Sequence, residues 1–275
     1  MIHIDADRGE GGGQVLRTAL ALSAVRGVPI RLSGIRARRK APGLRAQHLT
    51  AVGALAQICD AEVQGAGLGS CELTFAPGAV RAGQYHFDVG TAGSTALTLQ
   101  ALLLPLAVAG GPSRIVLTGG THVPWSPPTD YLQAILLPRL AQMGIGAEAT
   151  VERCGFYPRG GGRLVVDIAG GAALSSLTLA YRSGHPSIRG LSGTAGLPTT
   201  VASRQRALAL ERLGQAGYRA EIEIRELRAV DPGSLLFLAA RDEVGSGGFT
   251  GLGAPGADLE RVAAETVDAL LEFAG

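Results

Sequence analysis

The sequence predicts an α/β fold of the α+β type, in which two copies of a β-α-β-α-β-β unit pack side by side. The same succession of alternating apolar residues, glycine-rich turns and helical spacing occurs twice, and superposing Pro42 on Pro128 gives an offset of 86 residues. Hydrophobic residues make up 46% of the 275-residue chain and aromatic residues only 4%. A core of Ala, Leu, Val and Ile favours layers of helices and sheets over an aromatic-rich sandwich.

The first unit covers residues 1–83. Period-two alternation predicts its strands, and apolar residues at helical spacing predict its two helices. In chain order we expect a strand at 1–5, a glycine turn at 9–13, a helix at 14–25, a strand at 28–35, a helix at 42–61, and paired strands near 62–64 and 71–75.

The second unit covers residues 84–172 and repeats that order. We expect a strand at 87–89, a glycine turn at 90–94, a helix that runs to 109, a strand at 114–117, a helix at 128–143, and strands near 147–152 and 163–168. Two sheet-and-helix units side by side create a cleft between them, and ligand pockets favour such places.

The pattern changes after residue 172. Residues 173–250 predict a separate small α/β domain, with strands at 177–181, 188–191, 219–225 and 235–239 and a helix at 199–216. Residues 251–275 are expected to hold the end of a glycine-rich linker, Gly245 to Gly256, and a closing helix that Asp258 caps.

Composition and motifs exclude several classes of protein. The three cysteines are widely spaced and include no Cys-x-x-Cys, which argues against a disulfide framework and a zinc site. No signal-peptide pattern opens the sequence, and its longest apolar runs fall short of the roughly 20 residues of a membrane span, so we expect a cytoplasmic protein with no membrane partner. The sole lysine, Lys40, precedes Ala41, which excludes a Walker-type P-loop, and neither G-x-S-x-G nor H-E-x-x-H occurs.

The stretch from Gly9 to Arg17 is the strongest local candidate for a site. Its glycines lie between a predicted strand and a predicted helix, where exposed backbone N–H groups at a helix start can face an anion. Glu10 could then hold a metal, and Arg17 could hold a phosphate from the same helix. A tight turn that leads into a polar helix start is the alternative explanation.

The densest positive segment follows closely. Its basic residues lie within fifteen positions that contain no acid: Arg31, Arg36, Arg38, Arg39, Lys40 and Arg45. A solvated loop normally mixes acids among its bases, so this segment favours a site for a polyanion. A second glycine-rich turn, Gly155 to Gly162, contains Arg159, and a plain hairpin turn explains it adequately.

Taken together, these motifs resemble the RNA 3′-terminal phosphate cyclase family. The matching stretches are Gly9–Arg17, Ile35–Leu49, Gly93-Ser94, Gly119–Thr121 and Gly155–Gly162. The resemblance covers residues 1–168 firmly and the later residues loosely. It implies an ATP-dependent enzyme of the ligase class, active in RNA end processing, that converts an RNA 3′-phosphate into a 2′,3′-cyclic phosphate. In the family a histidine takes AMP from ATP, AMP passes to the RNA phosphate, and the neighbouring 2′-OH displaces it.

The resemblance also implies roles for individual residues. Glu10 would hold a divalent metal, Mg or Mn, and Arg17 would act with it in catalysis. The residues implied to bind the RNA phosphate are Arg36, Arg39, Gln47 and His48. The residues implied to lie near the nucleotide are Gln100, Pro128 and Asp130, although a polar helix residue at a unit interface explains Gln100 equally well. The implied partners are ATP and RNA with a 3′-phosphate end, and the oligomeric state stays open.

Two features depart from the family pattern. Arg38 stands where the family usually has glycine, which would add charge to the phosphate clamp. The resemblance also implies that the small domain is an insertion, followed in the family by a third repeat that carries the histidine that accepts AMP. We expect that third repeat to be absent from this sequence. No histidine of this sequence lies in a matching segment, and His122, expected to face the cleft, is a poor substitute.

Two other functions stay open at this point. A non-catalytic RNA-binding homologue would need no metal carboxylate, so Glu10, Arg17 and Arg39 favour descent from an active enzyme. An enolpyruvyl-transferase-like enzyme shares the repeated unit, but it would need several substrate-binding lysines where this chain has one.

Overall fold

The computed structural model of the chain describes residues 1–8, 12–179 and 184–275. Its strands form three four-stranded sheets with helices packed against them, which confirms the mixed α/β class. Glu10 lies outside the described residues. So does part of the strand predicted at 177–181, and the described part, 177–179, has no strand structure.

The first sheet contains the first four strands in the order β1-β2-β4-β3. β2 pairs parallel with β1 and antiparallel with β4, and β4 pairs antiparallel with β3. The strands are β1 (Ile2–Asp5), β2 (Ile30–Ser33), β3 (Glu62–Gln64) and β4 (Leu73–Ala76), and the helices are α1 (Gly13–Arg26) and α2 (Ala46–Cys59). Gly27 ends α1 and Asp60 ends α2, each in the left-handed conformation that closes many helices.

The second sheet has the corresponding order β5-β6-β8-β7. β6 pairs parallel with β5 and antiparallel with β8, and β8 pairs antiparallel with β7. The strands are β5 (Gln84–Asp88), β6 (Ser113–Gly119), β7 (Ala147–Arg153) and β8 (Gly162–Ile168), and the first helix is α3 (Thr95–Val108). The two sheets therefore share one strand order and one pattern of strand directions.

The other helix of this sheet has an irregular middle. α4 (Thr129–Tyr131) continues through a π-helical segment (Leu132–Leu136) into α5 (Leu137–Gln142). Pro138 has no backbone N–H, so it cannot bond the carbonyl of Ala134 in the preceding turn. Arg241 Nη2 donates to that carbonyl at 3.0 Å, which satisfies the acceptor from outside the helix.

Helices α1, α2 and α3 pack on one another and share one hydrophobic core with both sheets. Leu20, Leu55 and Leu102 from the three helices are completely buried, as are Phe75 on β4 and Leu117 on β6. At roughly 1.5–3 kcal/mol for each such side chain, this common core fixes the two sheets relative to one another. Facing residues of α1, α2 and α3 are thereby held close together.

The third sheet has the order β10-β9-β11-β12 and a hydrophobic core of its own. The strands are β9 (Ser187–Ala195), β10 (Ala220–Glu226), β11 (Gly233–Arg241) and β12 (Ser246–Gly253), and the helices are α6 (Thr199–Gln215) and α7 (Leu259–Ala274). The predicted cap of the closing helix is confirmed, because Asp258 Oδ1 accepts from the backbone N–H groups of Glu260 and Arg261.

The prediction of a glycine-rich linker from Gly245 to Gly256 is wrong. Residues Ser246–Gly253 form strand β12, which pairs antiparallel with β11 along its whole length. The glycines are needed because helix α7 lies directly on this strand: a Cβ at Gly247 would lie 2.8 Å from the ring of Phe273, and a Cβ at Gly251 would lie 2.7 Å from Val262. The predicted boundary between residues 250 and 251 falls inside the strand.

No helix in the described part of the chain is both long enough and apolar enough to cross a membrane.

Candidate functional site

A cleft of about 1010 Å³ lies where α1, α2 and α3 meet. Six residues implicated by the sequence line it: Arg17, Arg36, Arg39, Gln47, His48 and Gln100. The other lining residues are Gly12, Gly13, Gln14, Ala96, Leu97, Trp125, Pro127, Leu132 and Leu136. No carboxylate lines the cleft among the residues that the structure describes. Residues 12–48 and 96–136 thus contribute cations and apolar walls to one site.

Arg17 is the most deeply placed cation of the cleft. It lies on α1 with only 7% of its surface exposed, and its Nε donates to Gln100 Oε1 on α3 at 3.3 Å. Burial lowers the pKa of the Arg17 guanidinium, and an arginine still stays charged at neutral pH. Among the described residues, the hydrogen-bond partner of this largely desolvated charge is the neutral amide of Gln100. An anion in the cleft would therefore find a cation that water hardly screens.

Arg36 holds the shape of the basic loop as well as lining the cleft. Its φ is +54°, and its Nη1 donates to the carbonyls of Ala41 and Gly43, each at 2.8 Å. Burial lowers the pKa of Arg36, and the charges of Arg39 and Arg45 lower it further. Gly43 has φ +74° and lies so close to the backbone of Gly69 that a Cβ would collide. The loop thus brings several cations together at an electrostatic cost that a bound anion would offset.

Arg39 and Arg38 point to different surroundings. Arg39 lines the cleft beside the glycine turn, since a Cβ on Gly12 would lie 3.5 Å from Arg39 Nη2. Arg38 Nε instead donates to Asp7 Oδ2 at 3.1 Å, and its side chain is 68% exposed. Arg38 is not part of the cleft lining, so the expectation that it adds charge to the phosphate clamp is wrong.

His48 is buried near the start of α2, with 4% of its surface exposed. Its Nδ1 accepts from the backbone N–H of Arg45 at 3.0 Å, so neutral His48 carries its proton on Nε2. That nitrogen lies against Gly13, where a Cβ would overlap it. Burial lowers the pKa of His48 to about 4, together with the charges of Arg36, Arg17 and Arg45. The ring is therefore a neutral N–H donor at neutral pH.

The low pKa of His48 predicts a loss of stability as the pH falls from 6.5, the ordinary value of histidine, towards about 4. In this window the unfolded chain binds a proton at His48 that the folded protein does not, so acid favours unfolding by about 3 kcal/mol at most. His48→Asn keeps an acceptor for the Arg45 N–H and removes the titration. Urea unfolding at several pH values should show that the free energy of unfolding falls less with acid in the variant than in the parent protein. The same pH dependence in both proteins would contradict the expected pKa of His48.

Gln47 connects the two halves of the site. Its Oε1 accepts from the backbone N–H of Ser94 at 3.4 Å. Ser94 Oγ caps helix α3 by accepting from Leu97 N at 3.1 Å, and it also hydrogen-bonds Ser126 Oγ at 2.6 Å. Gln47 therefore fixes the start of α2 to the start of α3, beside the cleft.

Pro128 and Asp130 are the two predicted nucleotide residues that do not line the cleft. Pro128 precedes α4 as its N-cap residue, and Asp130 Oδ2 hydrogen-bonds Nε2 of His122 at 2.7 Å. His122 is 3% exposed, and its Nδ1 lies 2.8 Å from Thr121 Oγ1. The expectation that His122 faces the cleft is therefore wrong, because its ring is committed to a buried polar pair. The nucleotide roles of Pro128 and Asp130 stay predictions.

The buried pair changes the titration of His122. Burial lowers the pKa of His122, but the hydrogen bond to Asp130 and the charge of that carboxylate, with a smaller contribution from Cys154, outweigh this and raise it to about 9. The ring of Phe156 stacks on the imidazole with centroids 5.4 Å apart. At neutral pH His122 is thus an imidazolium paired with a carboxylate inside the protein.

The glycine-rich turn with Arg159 fastens the second sheet to the third. The backbone N–H of Arg159 donates to Asp231 Oδ2 at 2.8 Å, its Nε donates to Oδ1 at 2.7 Å, and its Nη2 donates to Val230 O at 3.0 Å. Asp231 is 4% exposed. A structural contact between sheets therefore accounts for this arginine.

No described group of three or more His, Cys, Asp or Glu side chains is arranged to hold a metal ion. The carboxylate implicated by the sequence, Glu10, is not among the described residues.

Some residues that line the cleft were indicated by no sequence motif, among them Trp125, Leu132 and Leu136. The tryptophan between Pro124 and Ser126 could have indicated a binding surface, because a large apolar side chain in a predicted turn needs something to cover it.

Comparison with known proteins shows the family of this chain. The family model described as RTC, RNA 3′-terminal phosphate cyclase, matches residues 8–271. A protein named RNA 3′-terminal phosphate cyclase from Methylococcus capsulatus is 48% identical over 98% of this chain and 77% of that protein. Proteins of the same name from Nostoc sp. and Pyrobaculum neutrophilum are 45% and 42% identical, over 99% and 98% of this chain and 80% of each relative. The chain belongs to the RNA 3′-terminal phosphate cyclase family.

Proposed function

We propose that this protein is an ATP-dependent RNA 3′-terminal phosphate cyclase and that the arginine cleft binds the terminal phosphate of the RNA. The convergence of Arg17, Arg36 and Arg39 in one cleft carries this proposal. A terminal phosphate ester bears up to two negative charges at neutral pH, and planar guanidinium groups bind such oxygens in bidentate pairs. The neutral Nε2–H of His48 adds a hydrogen-bond donor without adding charge.

ATP would occupy the same cleft from the side of α3. Gln100 lies on α3 and accepts from Arg17, so a phosphate bound to Arg17 would also meet this amide. The resemblance assigns a divalent metal to Glu10, and Mg²⁺ is commonly held by one or two carboxylates together with substrate phosphates. The metal would neutralise charge on the phosphates of ATP.

The described residues act by position and charge. In the last step of the reaction, the RNA 2′-oxygen forms a bond to the terminal phosphorus, the bond from phosphorus to the AMP oxygen breaks, and AMP leaves. The 2′-OH gives its proton to water, and the departing AMP takes up the negative charge. Arg17, Arg36 and Arg39 would stabilise the phosphate oxygens throughout, which is the main contribution that proteins make to phosphoryl transfer. By the resemblance, the histidine that accepts AMP belongs to a third repeat and is not one of the residues that line the cleft.

We also propose that the first two sheets are tandem copies of one unit and that the third sheet is an inserted domain. The shared strand order and the shared pattern of strand directions support the first point. The separate hydrophobic core of the third sheet supports the second.

An RNA whose 3′-phosphate already carries AMP tests the function of this chain, because its cyclisation needs no histidine to accept AMP. In single-turnover reactions the protein should accelerate the release of AMP and the appearance of a phosphatase-resistant RNA end. Arg17→Met should remove most of that acceleration, whereas Arg26→Met, an exposed position on the same helix, should not. A bound RNA that releases AMP at the uncatalysed rate would indicate a binding protein instead.

A further inference from the structure

We propose that Trp125 is a stacking platform for the nucleobase of the 3′-terminal nucleotide of the RNA, an inference that rests on the proposed function. Trp125 is the only tryptophan of the chain, and it is 99% exposed. A tryptophan held fully in water at the edge of a basic cleft buries none of its apolar surface, which a partner would cover.

The backbone at Trp125 is strained in a way that presents the ring. Only three non-glycine residues in the described ranges have positive φ, namely Arg36, Asp60 and Trp125, and two of the three line this cleft. The φ of Trp125 is +64°, a conformation that costs a bulky residue free energy and that clusters at ligand sites. The strain is therefore located where a ligand is expected.

Trp125 forms a wall between two neighbouring cavities. On one side is the arginine cleft, and on the other is a pocket of about 400 Å³. Gln47, Leu97 and Trp125 line both, so the two cavities are in direct contact. A nucleotide whose phosphate lies among the arginines would have its base within reach of this wall.

The smaller pocket has a second exposed aromatic ring. Tyr157 lines it and is 72% exposed. Val123 and Pro124 supply apolar surface, and Ser94 and Ser126 supply hydroxyl groups. Open aromatic rings beside a basic groove are typical of single-stranded nucleic-acid sites, where stacking accepts any base. The same openness favours an RNA base over the adenine of ATP, because a specific adenine site would enclose the ring edge with hydrogen-bonding groups.

The experiment uses the intact protein and three matched RNA oligonucleotides. One ends in an ordinary nucleotide with a 3′-phosphate, one in an abasic nucleotide with a 3′-phosphate, and one in an ordinary nucleotide with a 3′-hydroxyl. Affinity and the fluorescence of the single tryptophan are followed in each titration, since a stacked base quenches an indole. The first RNA should quench the fluorescence and bind roughly 5- to 150-fold more tightly than the abasic one, which should not quench.

Variants separate stacking from other effects. Trp125→Ala should reduce the affinity for the first RNA to that of the abasic one, and Trp125→Phe should restore most of it. Leu68→Ala is the matched control, because Leu68 is 73% exposed and lines neither cavity. An exposed ring supports no core packing, so these variants should keep the thermal stability of the protein.

The outcomes distinguish this inference from the proposed function. Equal affinity for the 3′-phosphate and 3′-hydroxyl RNAs would contradict the proposed function itself. A preserved preference for the 3′-phosphate, with no effect of the abasic nucleotide or of Trp125→Ala, would overturn the stacking inference alone. Saturable quenching by ATP without any by RNA would overturn it as well, by assigning the pocket to adenine.

Discussion

Arg17→Met should abolish tight binding of the RNA 3′-phosphate while leaving the folded protein at least as stable. Losing one member of a buried charge pair costs about 2–5 kcal/mol, which corresponds to a rise in Kd of roughly 30-fold or more. In the absence of ligand, however, Arg17 is a buried cation whose described hydrogen-bond partner is the neutral Gln100. Replacing such a charge with an apolar side chain of similar length is often neutral or stabilising. Titration calorimetry and thermal unfolding of the same preparation measure both effects.

Arg26→Met is the control for this prediction, because Arg26 is exposed on the last turn of the same helix. It should leave RNA affinity unchanged. If Arg17→Met instead lowered the stability substantially and left the affinity intact, the role of Arg17 would be to join α1 to α3.

Asp130→Ala should destabilise the protein by about 3–5 kcal/mol, because it leaves the buried charge of His122 without its carboxylate. The pair also makes stability depend on pH. The pKa of His122 is raised from 6.5 to about 9, so its contribution is fully present below 6.5 and is lost as the pH rises towards 9. Urea unfolding across this range should show the loss in the parent protein and little of it in Asp130→Ala.

Asp167→Ala provides the comparison for Asp130→Ala. Asp167 pairs with Arg114 on the surface, where both side chains are more than half exposed, and such pairs contribute no more than about 1 kcal/mol. If Asp130→Ala were as stable as Asp167→Ala and had lost affinity for ATP, the nucleotide role that the sequence suggested for Asp130 would be favoured over the structural one.

Much of the fold could be predicted from the sequence, because helix caps and apolar periodicity depend only on residues that are neighbours along the chain. The cap at Asp258 and the helix from Thr199 were visible in this way and are confirmed. Strand β12 was not, because its glycines are typical of a linker until Val262 and Phe273 are known to lie on them. The requirement for glycine at those positions arises from tertiary packing, which a single sequence does not display.

In the candidate site, too, short motifs were predictable from the sequence and tertiary contacts were not. Two short motifs indicated five residues that the structure places in one cleft: Arg17, Arg36, Arg39, Gln47 and His48. The pairing of Asp130 with His122 depends on burial and side-chain direction, so no sequence pattern indicates that this carboxylate already has a buried partner. The exposure of Trp125 likewise becomes visible only once the turn is folded.

The ratio of the affinities for 3′-hydroxyl and 3′-phosphate RNA tests most directly whether the arginine cleft recognises the terminal phosphate. The two oligonucleotides should share sequence and length, and the intact protein should be titrated at several salt concentrations, because binding to the rest of the RNA backbone weakens with salt. With about 1.5–3 kcal/mol for each charged hydrogen bond, the 3′-phosphate RNA should bind roughly 100-fold more tightly or better. Equal affinities at every salt concentration would contradict the assignment of the cleft.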